Sequence, residues 1–429
     1  MMVACQPEPT TRDRLVTKRS LATLGMTMSL ACTSTGPPRT DPIPVSAALA
    51  EQLEPAARVL DSAIAAGAAP GAVLAVSYKG RRFEHAIGQL AVDDLRPPDG
   101  RTLYDMASLT KVIATTTLAM YAVEEHRLDL DTPVVRYLPE FARGKGDKSH
   151  VTVRQLLLHD AGLPPDPIPP LWKGSHSRSE AVRRALAANL DTVPGARYVY
   201  SDISAITLAA ILEKLYHRRL DQLFEERVAR PLRLTRTRFL PPRSWRSEIA
   251  ATEIEAVPFH KQVELRGEVH DENAWWLHGV SGHAGLFSDA DDALRFGEWA
   301  LDGALGRNRE GHNVQQPLRE FATWTIRQDQ PAGSSRAIGW DTPSGVSSAG
   351  NYMSARSFGH TGFTGTSIWI DPEHDIVIVL LTNRVNPTRN TPRFGNIRGA
   401  VADAVMRSLF PGIAPRDGAP AGVGTGGGR

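Results

Sequence analysis

Asp105-Met106-Ala107-Ser108-Leu109-Thr110-Lys111, followed by the apolar Val112-Ile113-Ala114 and Leu118-Ala119-Met120, reads as a loop running into a buried helix. Ser108 falls in the first turn and Lys111 one turn later. Residues three apart on a helix share a face, with Cβ atoms about 5–6 Å apart, so this spacing sets an amine beside a hydroxyl. A serine becomes a useful nucleophile only when a base takes its proton, and an adjacent lysine is a candidate partner. To act as a neutral base near pH 7, that lysine must fall roughly 3 units from its reference value, worth about 4 kcal/mol. Burial among the apolar residues that follow Lys111 can supply a shift of that size. The competing reading is an ordinary helix start with a capping serine and an exposed lysine, and the rest of the chain has to decide.

The chain has 429 residues, long enough for two or three domains or for one enzyme core with an inserted subdomain. Hydrophobic content of 41% and charged content of 22% fit an ordinary globular protein. Net charge is +2 and no Lys/Arg block tracks a phosphate backbone, which argues against nucleic acid. The only cysteines are Cys5 and Cys32. The folded part therefore has no disulfide, thiol nucleophile or cysteine metal site.

Arg12, Arg14, Lys18 and Arg19 precede the mostly apolar run Leu21 to Ala31. A basic region, a short apolar segment and a small residue have the form of a secretory signal, and the segment is too short to span a membrane. Residues 1–32 are thus expected to direct export, with Cys32 a candidate lipid anchor after Leu30-Ala31, a degenerate lipobox in which Ser29 replaces leucine. Residues 33–44 read as a linker and 414–429, rich in Gly, Pro and Ala, as a disordered tail. Between them, 45–413 is expected to form the catalytic domain, with a helical insertion at about 112–345. A first helix is expected from about Pro55 to Ala66, with Pro55 in its first turn. Strands are expected at Ala72–Tyr78, Arg82–Ile87, Ser367–Asp371 and Ile376–Leu381. Further helices fit Thr152–His159, closed by Ala161-Gly162, and Ile206–Leu215, with a short docking segment at Pro133–Phe141. A last helix carries Ile397, Val401, Val405 and Leu409 on one face. Strands at both ends and helices between predict an α+β fold: one antiparallel sheet built from both chain ends, flanked by helices, with a mostly helical subdomain inserted.

Two further stretches carry chemistry. Tyr198-Val199-Tyr200-Ser201-Asp202 stands at the mouth of an apolar helix, where the Tyr200 hydroxyl can shuttle a proton if a nearby ammonium favours its phenolate. Gly359-His360-Thr361-Gly362-Phe363-Thr364-Gly365 lies before or on a strand, and its glycines let a substrate approach the backbone. The Phe363 N–H can pair with that of Ser108 as an oxyanion hole.

Ser108-Leu109-Thr110-Lys111, Tyr200-Ser201-Asp202 and His360-Thr361-Gly362 follow the order of the motifs of serine β-lactamases and penicillin-binding proteins, and the chain resembles that superfamily on its class C side. Leu157-Leu158-His159-Asp160-Ala161-Gly162-Leu163, Gly282-His283-Ala284-Gly285-Leu286-Phe287-Ser288 and Gly359 through Pro387 extend the resemblance, which covers roughly Ala56 to Phe410. It implies a Ser108 nucleophile, activation and leaving-group protonation by Lys111 and Tyr200, and substrate contacts from Asp202, His360, Thr361 and Gly362. No cofactor is implied. The substrate the resemblance implies is a small ester or amide, or one derived from peptidoglycan.

Two positions depart from the family pattern. Asp202 stands where an asparagine often donates to a substrate carbonyl, and an ionised carboxylate cannot donate. A carboxylate there would also hold Lys111 charged and move the base role toward Tyr200. His360 replaces a lysine that offers a permanent charge to a substrate carboxylate, whereas histidine is mostly neutral at pH 7. Both departures favour an esterase-like hydrolase over a D-alanyl carboxypeptidase or weak β-lactamase. A non-hydrolytic sensor has no need of all three of Ser108, Lys111 and Tyr200. His270-Asp271, His278 and His283 crowd one segment, but nothing regular sets a metal geometry; His283 is instead a candidate for the cleft mouth. Trp275-Trp276 and Trp340 read as core or cleft wall, and Thr382-Asn383-Arg384 as either a substrate contact or a solvated strand end.

Overall fold

Alternating β-branched and aliphatic residues build the central sheet, and a computed structural model describes residues 45–254, 264–307 and 318–420. The signal, the linker and Cys32 lie outside the described residues. Strands β1 (Gly71–Tyr78) and β2 (Arg81–Gly88) come from the N-terminal side. A minor set follows, β3 (Tyr104–Asp105), β4 (Arg238–Phe239) and β5 (Leu286–Ser288). The C-terminal side adds β6 (Phe358–Thr361), β7 (Ser367–Asp371) and β8 (Ile376–Thr382). The main sheet runs β2-β1-β8-β7-β6, antiparallel throughout, so it is assembled from both chain ends as expected. The minor sheet, β3-β5-β4, was not legible beforehand.

Successive side chains of a strand point to opposite faces. Leu74, Val76, Ile378 and Leu380 meet Leu49, Leu53, Leu60, Val401 and Val405 on one side, under the helices Ala47–Ala65 and Ile397–Leu409. Val73, Ala75, Val377, Val379 and Leu381 pack on the other side with Phe296 and Ala300 of the helix Ala290–Leu305. Gly297 lets that helix approach closely, because a Cβ there would lie 2.5 Å from Val377 Cγ1.

The first helix begins eight residues before the expected start. Ser46 caps it by accepting from the Leu49 N–H, and Leu49 and Leu53 extend its buried face, so Pro55 sits in the interior rather than in the first turn. The helix Val153–Leu158 is closed not by Ala161-Gly162 but by His159 itself, in the left-handed conformation (φ +57°). The tail is anchored at its start: Arg416 N–H donates to Asn351 O at 2.8 Å and its Nη2 to Gly345 O at 3.0 Å.

Candidate active site

Three i+3 backbone bonds, from Leu109, Thr110 and Lys111 back to Met106, Ala107 and Ser108, wind the chain tightly into the buried helix. From Lys111 to Thr116 that helix widens to a π-helix before continuing as Thr117–Glu124. Such widening occurs often at functional sites. Ala107 has φ +45°, a conformation costly for a residue with a Cβ, and it is held there because its N–H donates to Asp105 Oδ1 at 2.8 Å. The other Asp105 oxygen accepts from the His270 N–H at 2.7 Å. Asp105 thus fixes the turn that presents Ser108.

The loop after β6 is stitched to the same turn. Thr364 Oγ1 donates to Asp105 O at 2.7 Å and Thr366 Oγ1 to Met106 O at 3.2 Å. These bonds tie the loop that carries Phe363 to the turn that carries Ser108. Among the described residues neither of those two N–H groups is taken up by a protein acceptor, as an oxyanion hole requires. A Cβ on Gly362 would lie 2.6 Å from Met106 O and 2.1 Å from Thr366 Oγ1. Gly362→Ala is therefore expected to push the two strands of this junction apart and lower kcat/KM at least about tenfold, since small misplacements near the reacting atoms are costly. Steady-state kinetics on the folded variant would check it.

Lys111, 3% exposed, has three acceptors around its Nζ: Ser108 Oγ at 3.0 Å, Asp202 Oδ1 at 2.7 Å and the His283 carbonyl at 3.1 Å. An ammonium has three N–H donors and a neutral amine only two. Desolvation pushes Lys111 down, but the charges of Asp202 and Tyr200 and their hydrogen bonding outweigh it, and the group is raised above the ordinary lysine value. The neutral-base reading of Lys111 is therefore corrected: burial alone would give it, and the paired carboxylate reverses it. The carboxylate at position 202 is the counter-ion of Lys111.

Tyr200 is positioned by His159. The His159 carbonyl accepts from Val199 N–H at 2.8 Å, its Nδ1 accepts from Ser201 N–H at 3.1 Å, and its ring lies 4.7 Å from that of Tyr200. Lys111 Nζ stands 4.8 Å from the Tyr200 ring centre and His360 packs at 5.9 Å. His360 is 3% exposed, and its Nδ1–H donates to Thr361 O at 2.8 Å. Burial, then the charges of Arg336 and Lys111, drive His360 well below the usual histidine range, so it is a neutral ring.

His283 is not at the cleft mouth. It is 1% exposed, with Nδ1 bonded to Ser281 Oγ at 2.7 Å and Nε2 to Asp271 Oδ1 at 2.8 Å. Desolvation lowers it, yet Asp271 and Asp202 raise it further, while desolvation of Asp271 is outweighed by His283 and the carboxyl is lowered. Its contribution to the site is the carbonyl that receives Lys111. Asp202, Asp271 and His283 bring ligand atoms within 4.8 Å of one another, the spacing of a metal site, but the cation that faces them is the Lys111 ammonium. His278 is exposed and stands apart from this group.

Asn383 is structural: it accepts from Gly71 N–H at 3.1 Å and donates to Leu90 O at 2.8 Å. Arg384 donates to Phe363 O at 2.7 Å with its guanidinium 4.7 Å from the centre of the half-exposed Phe363 ring, which also stacks with His270 at 5.7 Å. Trp340 is core, while Trp275 and Trp276 line a cavity of about 630 Å³ with Arg243, Arg266 and Val269. Asp105 and His159 were missed as site residues because neither is in a triplet with nucleophile or base chemistry, whereas Arg384 stood open between a substrate contact and a solvated strand end. The one available signal was the left-handed bias of His159 ahead of Ala161-Gly162.

The chain matches the β-lactamase family over residues 56–402. It is 32% identical over 396 residues to an N-acetylmuramyl-L-alanine amidase of Bacillus subtilis (strain 168), covering 81% of this chain and 88% of that protein. It is 31% identical over 315 residues to a putative D-alanyl-D-alanine carboxypeptidase of Salmonella agona (strain SL483), covering 68% and 72%. Among solved structures, EstCE1, a hydrolase with promiscuous acyltransferase activity, superposes with a TM-score of 0.65 at 25% identity, over 84% of this chain and 100% of that one. Ser108, Lys111 and Tyr200 thus stand in a chain whose relatives are named as a putative carboxypeptidase and an amidase and whose fold is shared with a hydrolase of promiscuous acyltransferase activity, and the chain belongs to the β-lactamase family of serine hydrolases.

Proposed function

We propose that this protein cleaves an ester or amide through an acyl-enzyme on Ser108, with Tyr200 as the base and with no requirement for a carboxylate next to the scissile bond. The observation that carries the reading is the set of three acceptors around Lys111 Nζ. A lysine that donates to Ser108 Oγ as an ammonium cannot take the serine proton, so that proton goes to Tyr200. Ser108 Oγ attacks the carbonyl carbon, and the oxyanion is received by the N–H groups of Ser108 and Phe363. The bond to the leaving group then breaks and Tyr200 returns the proton to the departing alkoxide or amine. Water repeats the sequence on the acyl-enzyme, giving the free acid and restoring Ser108.

The neutral, buried His360 supports a substrate without a carboxylate, since no permanent charge stands at that position. The amidase relative supports an amide as well as an ester. The basic and apolar segment before Cys32 supports export, with lipidation of that cysteine.

The test is intact-mass analysis of full-length protein expressed in a bacterium, mixed with an activated acyl ester and separately with a penicillin. A Ser108-dependent adduct or turnover with the ester alone is the expected result, and no adduct or turnover with either would reject the reading. The same spectra show whether the purified chain begins at a modified Cys32, as lipidation requires, begins unmodified after a cleaved signal, as export alone requires, or retains Met1, which would reject export. His360→Lys is expected to raise penicillin acylation relative to ester hydrolysis about tenfold, the scale of one added charge contact. An unchanged ratio would remove the argument from His360.

A further inference from the structure

We propose that Asp166 is a specificity residue at the rim of the active site, a carboxylate without a counter-ion that receives a cationic group of the substrate. The proposal deepens the acyl-enzyme reading and rests on Ser108 being the nucleophile. Asp166 lies in Pro164-Pro165-Asp166-Pro167-Ile168-Pro169-Pro170-Leu171, where five of eight residues are proline. A proline fixes its own φ and restricts the residue before it, so this strap is stiff. Both of its ends are tied to elements that carry the site. Ser201 Oγ donates to Pro164 O at 2.6 Å and the Asp202 N–H to Pro165 O at 2.7 Å, at the start of the helix Asp202–Tyr216. At the other end the Leu171 N–H donates to Asn273 Oδ1 at 2.8 Å, on the helix Glu272–Trp276 that Asp271 caps. Arg184 Nη2 holds the strap between them, donating to Pro169 O at 2.9 Å. Asp166 thus stands one residue beyond a direct bond to Asp202, on a strap that reaches to the helix of Asp271.

The charges show what is left for this carboxylate to do. Asp166 is exposed, and among the described residues it makes no hydrogen bond or ion pair. An aspartate in a turn commonly accepts from the backbone two residues on, and Asp166 is not used in that way. Desolvation pushes its carboxyl above the ordinary value, Asp202 and Asp271 push it further, and His283 and Lys111 draw it back. Those four groups are already matched in pairs, Lys111 with Asp202 at 2.7 Å and His283 with Asp271 at 2.8 Å. Other cations of the site are engaged elsewhere. Arg336 donates to the Tyr198 hydroxyl and faces Asp341 at 3.9 Å, while Arg384 and Arg398 donate to the carbonyls of Phe363 and Gly362. Asp166 is therefore a third carboxylate beside two cations. A cation arriving with the substrate favours its ionised form and gains a charge-assisted hydrogen bond. Because the group is exposed, the gain belongs at the low end for such contacts, about tenfold.

The test compares esters that differ in charge and little else. One pair is a dimethylaminoethyl ester, protonated at neutral pH, and its carbon isostere, the isopentyl ester. In the other pair the acyl chain of a nitrophenyl ester ends in the same dimethylammonium or in isopropyl. The two pairs put the cation on the leaving-group side and on the acyl side in turn. The readout is the ratio of kcat/KM for the charged over the neutral ester, at neutral pH and low salt. For at least one pair the unmodified enzyme is expected to favour the charged ester about tenfold, Asp166→Asn to abolish that preference and Asp166→Lys to invert it. A strap that only packs would change both rates alike and leave the ratio in place. No preference in either pair with the unmodified enzyme, or a preference that both variants leave unchanged, would overturn the proposal. Turnover of the neutral esters that does not depend on Ser108 would instead reject the acyl-enzyme reading, and the two failures are thus separable.

Discussion

Replacing Ser108 with alanine is expected to abolish both the acyl adduct and turnover, a loss of at least about 10,000-fold in kcat. Among the described residues, Ser108 is the hydroxyl that receives the Lys111 ammonium, at 3.0 Å, and no G-x-S-x-G stretch supplies a second nucleophile. The half-buried Ser108 side chain contributes little to the core, so the variant should keep its melting temperature within a few degrees. This combination separates a nucleophile from a packing residue. Residual turnover of a few per cent with intact folding would mean that the leaving group is displaced by water directly, with the oxyanion hole and Tyr200 doing the chemistry alone. Burst kinetics with an activated ester would decide it, since an acyl-enzyme on Ser108 produces a burst and direct attack by water does not.

What was legible in the sequence follows the range of the interactions involved. The β1 and β8 strands could be read because a short unbroken run of Val, Ile, Leu and Ala bounded by turn residues is a local signal, and both faces of that sheet are indeed apolar. Ser108 and Lys111 could be paired because three residues span one helical turn. The protonation state of Lys111 could not be settled from its neighbours, since its own surroundings argue for neutrality. It is decided by Asp202 and by a carbonyl 172 residues away. Arg336 was invisible for the same reason, as its contacts with Tyr198 cross 138 residues. The His283 misreading has a different origin. A histidine among glycines before a strand looks like a loop tip, but Asp271 and Ser281 take both ring nitrogens and draw it inward. Asp202 is the instructive case, because a single carboxylate where an amide is common was enough to anticipate that Lys111 is raised rather than lowered.

Lys111→Met carries the second large expected effect, and its partner Asp202 makes it diagnostic. Losing the ammonium removes the donor to Ser108 Oγ and the charge beside Tyr200, and kcat/KM is expected to fall on the order of 1,000-fold. Stability should suffer as well, because Asp202 is left facing Asp271 without its counter-ion. Breaking a buried pair by removing one partner costs about 3–5 kcal/mol, and the 17% exposure of the Asp202 side chain places this case toward the lower end. The pH dependence follows from the sign of the lysine shift. Lys111 is raised above its ordinary value in the folded state, so its contribution is fully present at neutral pH and is lost only in strongly alkaline solution. The destabilisation of Lys111→Met should accordingly be undiminished at pH 7. In the double variant Lys111→Met with Asp202→Asn, no unpaired carboxylate remains, so most of the lost stability should return while activity stays low. If the second substitution restored activity, Lys111 would serve only to neutralise Asp202. If it restored neither, the cost of the single variant would lie in the core packing of the lysine stem against the surrounding apolar helix.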